Sequence, residues 1–426
     1  MLGSKKKAAI YVPSSRGFRR LLFAQVISGL GDGFTLVAIP FAVLQMTGSA
    51  TSLGLVLAAR LVPQAAAMML GGVVGDRVSP GRILLLSHIT RAAVQGAMAA
   101  AVTSKAGGVV LISALYALHG VATAFHYPAS RAVVPRLVEK NDLQAANGLS
   151  SMASSSTTTL APLIGGVLVA VAHAGAAIAA DAFTFAAAAL AVMPLTGLKA
   201  SRTVVTSMRH EFVAGLQEIR SRRWLSTGMA YASLFQFSVL GAVTVLGPTV
   251  ALRHYQGSSA WGILLAADGI GSLVGGFAAT RFRTRRSLQV GYLAVLPGTV
   301  AALSCLAWTP PFPVAVIAFA LYGLSLTWFD TLWHVALQSH VPEESLAKVF
   351  AFDGVISLAL RPASLAVIGP LAAALGYSRS LVFCMCLMAA ATLLVLATSR
   401  IPEPTVAAAE DQQSNEASPA PAEGCL

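Results

Sequence analysis

The chain has 426 residues, of which 56% are hydrophobic and only 11% are charged, and its mean hydropathy is +0.73. A soluble domain carries about 25% charged residues, so this composition leaves too little charge to cover a surface that faces water. It excludes a soluble enzyme. The net charge of +12 does not predict a nucleic-acid partner, because the basic residues lie in short loops between apolar runs.

Twelve apolar runs are long enough to cross a bilayer, since about 20 residues at a rise of about 1.5 Å span its hydrocarbon core. The first six are Leu21–Leu44, Ala50–Val74, Ile83–Val102, Val109–Ser130, Leu143–Val171 and Ala174–Leu195. The last six are Trp224–Leu252, Ala260–Thr280, Leu288–Trp308, Pro313–Trp333, Val349–Leu375 and Ser380–Thr398. The sequence therefore predicts an all-α membrane protein with twelve transmembrane helices.

The polar segments between and around these runs predict the domain organisation. It comprises a basic amino terminus (1–17), a six-helix bundle (18–196), a polar linker (197–223), a second six-helix bundle (224–399) and a disordered tail (400–426). Positive residues stay in the cytoplasm during insertion. With both termini in the cytoplasm, 23 of the 29 basic residues lie on that side, three lie in outer loops and three lie within spans.

The two bundles have similar sequences when the chain is shifted by 204 to 208 residues. Gly71, Gly72 and Arg77 then coincide with Gly275, Gly276 and Arg281, and Tyr116 coincides with Tyr322. Weak internal symmetry of this kind is typical of transporters, which are built from repeated helical bundles. Chance similarity in so biased a composition remains the alternative.

The two six-span halves, the long linker and the run from Gly72 to Arg77 together resemble the major facilitator superfamily over about residues 18–400. The continuation through Arg82 is similar to its drug:proton antiporter branch, which includes macrolide-efflux and enterobactin-exporter proteins. The resemblance implies that Gly72, Asp76, Arg77 and Arg82 form a cytoplasmic gating motif. A tight cytoplasmic turn with no gating role is the alternative interpretation of these residues.

The fifth span contains a second motif, in which Pro162 is followed by Gly165 and Gly166. It resembles the Gly-Pro-x-x-Gly-Gly motif of exporters in the same superfamily, with Ala161 in place of the first glycine. Proline bends a helix, and paired glycines let helices approach closely. We expect a pivot near the outer side, or else a kinked and tightly packed helix without that function.

Ionisable side chains within the spans are costly to insert and are therefore candidates for function. Asp32, Arg60 and Asp268 all fall near the middle of their spans, where carriers of this type bind their substrate. A carboxylate there can exchange protons, and Asp32 is the first candidate for proton carrier and Asp268 the second. A permanent ion pair between Asp32 and Arg60 is the structural alternative.

Other polar and aromatic side chains extend this candidate site. Histidine titrates near physiological pH, so His119 and His126 are candidates for proton relay, or are packing residues. Asp353 is a candidate for gating because it lies near a cytoplasmic end. The remaining candidates for the walls of a substrate cavity are Gln25, Arg91, Tyr116, Tyr231, Phe235 and Arg361. The family's fourth-span arginine is absent here, because Tyr116 occupies its position four residues before Gly120.

These observations predict a bacterial inner-membrane carrier that exports a small amphipathic compound in exchange for protons by alternating access. The bacterial origin is inferred from 22 Arg against 7 Lys in an alanine-rich chain. No cofactor, metal site or catalytic residue is expected, since no phosphate-binding glycine loop or ligand cluster is present. The expected partners are the substrate, protons and the lipid bilayer, and we expect a monomer. The alternatives are an importer, a lipid flippase, or a membrane enzyme or receptor.

Overall fold

The computed structural model describes residues 15–75, 78–105, 107–198, 217, 219–281, 287–342, 345–346, 349–350, 352–353, 356 and 360–398. Within them the regular elements are helical, which confirms the predicted fold class. The helices of the first half are α1 (Arg16–Thr47), α2 (Ala50–Gly75), α3 (Pro80–Thr103), α4 (Val109–Leu137), α5 (Leu143–Val171) and α6 (Ala174–Val192). Those of the second half are α7 (Arg223–His254), α8 (Ser258–Arg281), α9 (Ser287–Trp308), α10 (Phe312–His340), α11 (Arg361–Leu375) and α12 (Tyr377–Thr398).

These helices have the length and composition of membrane spans. Among the described residues, eleven helices are long and apolar enough to cross a membrane, and α11 is apolar but shorter. The predicted span at Val349–Leu375 begins earlier than α11, and much of that earlier part lies outside the described residues. Large apolar side chains such as Phe183 and Leu190 are exposed on the outside of α6, as expected of helices that face lipid.

The helices of each half pack in the same pattern. In the first half α1 contacts α5 and α6, α2 contacts α4, and α3 contacts α4 and α6. In the second half α7 contacts α11 and α12, α8 contacts α10, and α9 contacts α10 and α12. The halves meet where α5 packs on α8 and where α2 packs on α11. The internal similarity of the sequence therefore corresponds to a repeated helix arrangement.

Glycines bring the two halves together at one end of the molecule, here called the closed end, where α2 and α8 begin and α5 and α11 end. Gly54 of α2 lies directly against the carbonyl of Leu365, and Gly369 of α11 lies against the start of α2. Gly262 of α8 and Gly166 of α5 make the corresponding contacts with the opposite half. A Cβ atom at any of these positions would meet main-chain atoms of the other half, so glycine is required for this approach.

Helix α7 changes its winding within the membrane-spanning segment. Residues Gln236–Leu240 form a π-helical stretch between two α-helical parts. The hydroxyl of Ser364 in α11 donates a hydrogen bond to the carbonyl of Phe237, and Gly241 leaves room for the Ser364 side chain. A π-helical stretch frees a carbonyl group from the regular pattern, and α11 supplies the donor for it.

Candidate functional site

A cavity of about 660 Å³ opens between α1, α4 and α5. Its walls come from the middle of α1, the last part of α4 and the first part of α5, and the α4 and α5 residues place it toward the end of the bundle opposite the closed end. Asp32, Arg60 and Arg91 reach it from α1, α2 and α3. The remaining described residues of its lining are mostly serine, threonine and other small polar side chains. This polar lining indicates an aqueous cavity within the bundle.

Asp32 and Arg91 form an ion pair at the cavity. Nη2 of Arg91 donates to both carboxylate oxygens of Asp32, at 2.6 and 2.7 Å. The Asp32 side chain is 41% exposed, whereas that of Arg91 is 1% exposed. The Arg91 guanidinium lies 3.8 Å from the centre of the Phe185 ring of α6, and its Nε donates to Nε2 of His119 at 3.4 Å. Arg91 thus has contacts on several sides, and the carboxylate is the more exposed partner of the pair.

A second carboxylate, that of Asp181 in α6, lies behind this ion pair. Thr35 of α1 donates to Asp181 at 2.6 Å, and Gln95 of α3 donates to both Asp181 and Thr35. Asp181 is fully buried and lies within electrostatic range of Asp32 and Arg91. Gly31 permits this arrangement, since a Cβ there would meet the Asp181 carboxylate. Two acids and one arginine therefore share the core of the first half.

Histidines continue the polar core toward α4. His88 of α3 and His126 of α4 meet edge to face, with ring centroids 4.8 Å apart. His126 lines the cavity, and His119 is fully buried beside Arg91. The predicted relay residues thus adjoin the ion pair, which gives a chain of polar groups from the cavity to the inside of the half. Among the described residues, no cluster of three or more His, Cys, Asp or Glu could hold a metal ion.

Arg60 and Asp268 occupy matching positions in the two halves. Gly120 of α4 packs on the carbonyl of Arg60, and Gly323 of α10 packs on the carbonyl of Asp268. Nη1 of Arg60 donates to the Tyr116 hydroxyl at 3.0 Å, and Tyr322 lies within electrostatic range of Asp268. The repeat thus places a basic residue in one half where the other half has an acid.

The other predicted site residues are distributed more widely. Gln25 lines the cavity and donates to Ser130 at 3.0 Å. Tyr231 and Phe235 are buried in the core of the second half, where Tyr231 bonds Thr392 and packs edge to face on Tyr292. Neither is among the described residues that line the cavity.

The predicted gating residues lie toward the ends of helices. Arg82 is exposed in the first turn of α3, and Asp353 accepts a hydrogen bond from the Trp333 indole at 3.1 Å. Gly72 lies in the last turn of α2, whereas Asp76 and Arg77 lie outside the described residues. Pro162 lines the cavity, and Gly165 packs on the backbone of Phe34. The structure therefore brings the α1 and α3 candidates together and leaves the gating motif as a prediction.

A sequence model of one protein family matches residues 21–361 of the chain, and its description is the Major Facilitator Superfamily. The chain belongs to the major facilitator superfamily. Solved facilitator structures agree with this at the level of the fold. The nucleoside transporter NupG aligns with a TM-score of 0.72 at 12% identity, over 89% of this chain and 98% of its own. A bacterial homologue of the iron transporter ferroportin aligns with a TM-score of 0.67 at 16% identity, over 90% and 97%.

Several curated proteins resemble this facilitator along most of its length. The multidrug efflux pump Tap of Mycolicibacterium fortuitum is 25% identical over 84% of this chain and 89% of its own. Macrolide efflux protein A of Streptococcus pyogenes is 24% identical over 80% and 86%. The enterobactin exporter EntS of Citrobacter koseri is 25% identical over 78% and 79%. The facilitator is therefore a multi-pass membrane transporter with efflux-pump relatives, and it is not an enzyme.

Sequence reasoning missed Asp181, which the structure places at the centre of the facilitator's first half. It is the one ionisable residue in α6, within a run of alanine and other apolar residues. An isolated acid in such a run is costly to insert and marks a functional or structural site. The sequence therefore contained a signal for Asp181, although its partners Thr35 and Gln95 could not be read from helical spacing alone.

Proposed function

We propose that this facilitator is a proton-coupled exporter of small amphipathic compounds in a bacterial inner membrane, with both termini in the cytoplasm. The observation that carries the proposal is the ion pair of Asp32 with Arg91, because it places an exposed acid against a buried base at the cavity. The placement of basic residues supports a cytoplasmic cavity and an outward closed end. The efflux activity named for the relatives supports the direction of transport.

The ion pair couples proton and substrate through competition for one carboxylate. With the cavity open to the cytoplasm, an ionised Asp32 is held by Arg91 and accepts a hydrogen bond from the incoming compound. After the halves rock and the site opens outward, a proton from outside neutralises Asp32 and the compound leaves. Arg91 then keeps its contacts with His119 and Phe185. The proton passes to the cytoplasm when the halves return, so each cycle exchanges compound for proton.

Everted membrane vesicles test this proposal. An inside-acid pH gradient is imposed and followed by a quenched pH dye, and a panel of macrolides, cationic drugs and siderophores is added. We expect at least one compound to discharge the gradient, and Asp32→Asn to abolish the discharge while the compound still binds. Asp330→Asn is the matched control, because Asp330 is an exposed acid on α10 that lies 3.4 Å from His334.

Three outcomes would contradict the proposal. If no compound discharges the gradient, proton antiport is wrong. If Asp32→Asn discharges it as the unmodified protein does, Asp32 is not the proton carrier. If a compound is accumulated only with the gradient reversed, the facilitator is an importer.

A further inference from the structure

Two arginines from different halves approach each other beside the closed end. Helices α2 and α11 run antiparallel there, because Gly54 lies against Leu365 and Thr51 lies against Gly369. Counting onward from these contacts puts Arg60 and Arg361 at nearly the same depth, between one and two turns from Gly54 and Leu365. The two guanidinium groups lie within electrostatic range of each other. Arg60 also lines the cavity.

These arginines and a neighbouring tyrosine have hydrogen-bond donors that are not used within the described part of the chain. Nε of Arg60, Nε of Arg361 and the hydroxyl of Tyr322 are buried, and none of them has a partner among the described residues. Tyr322 lies within electrostatic range of Arg361. Two unused guanidinium donors therefore belong to the packed helices α2 and α11, and an unused tyrosine hydroxyl of α10 lies within electrostatic range of one of them.

Neither arginine has an ion-pair partner: neither Arg60 nor Arg361 makes a salt bridge with a described acidic residue. Asp32 and Asp181 lie within electrostatic range of Arg60. Asp32 is already paired with Arg91, and Asp181 accepts hydrogen bonds from Thr35 and Gln95. Two like charges in a region of low dielectric repel each other, and buried donors without acceptors cost free energy. An oxygen-bearing anion between α2 and α11 would offset the repulsion between the arginines and would accept hydrogen bonds from the unused donors.

We propose that Arg60, Arg361 and Tyr322 form an anion-binding subsite, and that the transported compound carries a carboxylate or phosphate group. This inference rests on the proposed function and names the substrate class of the same transport path. Planar guanidinium groups match both oxyanions with paired hydrogen bonds. Asp268 lies within electrostatic range of Tyr322 and would repel an anion close to it, so we assign the acidic group of the compound to the side of α2 and α11.

Thermal unfolding of the purified full chain in detergent tests the subsite with matched small probes. The probes are 1-naphthaleneacetic acid, its neutral amide, 1-naphthylmethylamine and 1-naphthyl phosphate. We expect the carboxylate or the phosphate to raise the unfolding midpoint, and the amide and the amine to have little effect. The anion that protects at the lower concentration identifies the oxyanion that the site prefers.

Three variants and one control locate the effect. Arg60→Gln and Arg361→Gln should each raise the concentration of anion needed for protection by at least about tenfold, as loss of a charged hydrogen bond does. Without ligand, Arg361→Gln should unfold at the same or a higher temperature, because one of two repelling charges is removed. Arg361→Lys should keep part of the binding. Arg253 lies at the end of α7 and stacks over Tyr377. Arg253→Gln should change neither the anion concentration needed for protection nor the unfolding temperature without ligand.

The proposal is overturned if the amide or amine protects as well as the anions, or if no anion protects. It is also overturned if both glutamine variants unfold earlier without ligand and leave anion protection unchanged, since the arginines would then be structural. Discharge of the pH gradient by a compound of the vesicle panel is measured independently of anion protection, so proton-coupled export and anion binding can fail separately.

Discussion

Arg91 is almost completely buried, whereas its partner Asp32, 2.6 Å away, faces the cavity. The two residues therefore differ in the groups that can interact with each of them when the ion pair is broken. Asp32 can be solvated by water in the cavity, whereas the direct contacts that the Arg91 guanidinium keeps within the described part of the chain are an imidazole nitrogen and an aromatic ring. This asymmetry leads to a specific expectation for stability.

Removing Asp32 should destabilise the protein through the charge that it leaves behind. We expect Asp32→Ala to cost about 3 kcal/mol, because a buried arginine without an anion is strongly unfavourable. Adding Arg91→Met to Asp32→Ala should recover more than half of that loss. Thermal unfolding of both single variants and the double variant measures this coupling. Asp330→Ala should change stability by less than about 0.5 kcal/mol, as expected for an exposed pair, and additive effects of Asp32→Ala and Arg91→Met would contradict the expectation.

The hydrogen bond from Thr35 to Asp181 should contribute to the packing of α1 on α6. Thr35→Val removes the hydroxyl that donates to the buried carboxylate at 2.6 Å, and we expect a loss of about 1 to 3 kcal/mol. Thr158→Val is the matched control, because the Thr158 hydroxyl bonds only a carbonyl of its own helix. We expect thermal unfolding to give a lower midpoint for Thr35→Val than for Thr158→Val. Equal midpoints would show that the contact is unimportant for stability.

Gly54→Ala should open the closed end. Its new methyl group would meet the carbonyl of Leu365, so α2 and α11 have to separate. If this contact costs about 1 kcal/mol, the fraction of molecules with the closed end open rises about fivefold. We therefore expect a cysteine introduced at the buried residue Ala50 to react about fivefold faster with an impermeant maleimide. Gly96→Ala is the control, since no atom lies within 4 Å of a Cβ there, and an unchanged labelling rate in Gly54→Ala would refute the expectation.

Ser364→Ala should weaken the attachment of α11 to α7. The Ser364 hydroxyl is the donor to the Phe237 carbonyl in the π-helical stretch, and its loss leaves that carbonyl without this partner. We expect a cost of about 1 kcal/mol and faster hydrogen exchange in residues 236–240. Ser339→Ala serves for comparison, because the Ser339 hydroxyl is exposed and bonds within its own helix. Equal exchange in both variants would argue against the role of Ser364.

The sequence predicted the number and order of the helices well, because hydropathy reports directly on spans in a membrane. It also named Asp32 as a candidate lining residue of a substrate cavity, and Asp32 lines the cavity of the first half. It did not predict which arginine binds Asp32, since Arg60 and Arg91 have similar depths and the rotation of α2 and α3 about their axes follows from packing. The same limit applies to Tyr231, which faces the core of the second half. Helical spacing identifies a face of a helix, but only tertiary contacts identify what lies opposite.

The glycines of the closed end bear on the speed of the transporter. Where Gly54 and Gly262 touch the opposite half, they present smooth backbone rather than interlocked side chains. Surfaces of this kind can separate without rotamer changes. One rotation of one half against the other would break the contacts of both Gly54 and Gly262. Separation of the halves at the closed end should therefore add little to the activation barrier of a turnover. Dissociation of the transported compound, rather than opening of the closed end, should then limit the rate of the transport cycle.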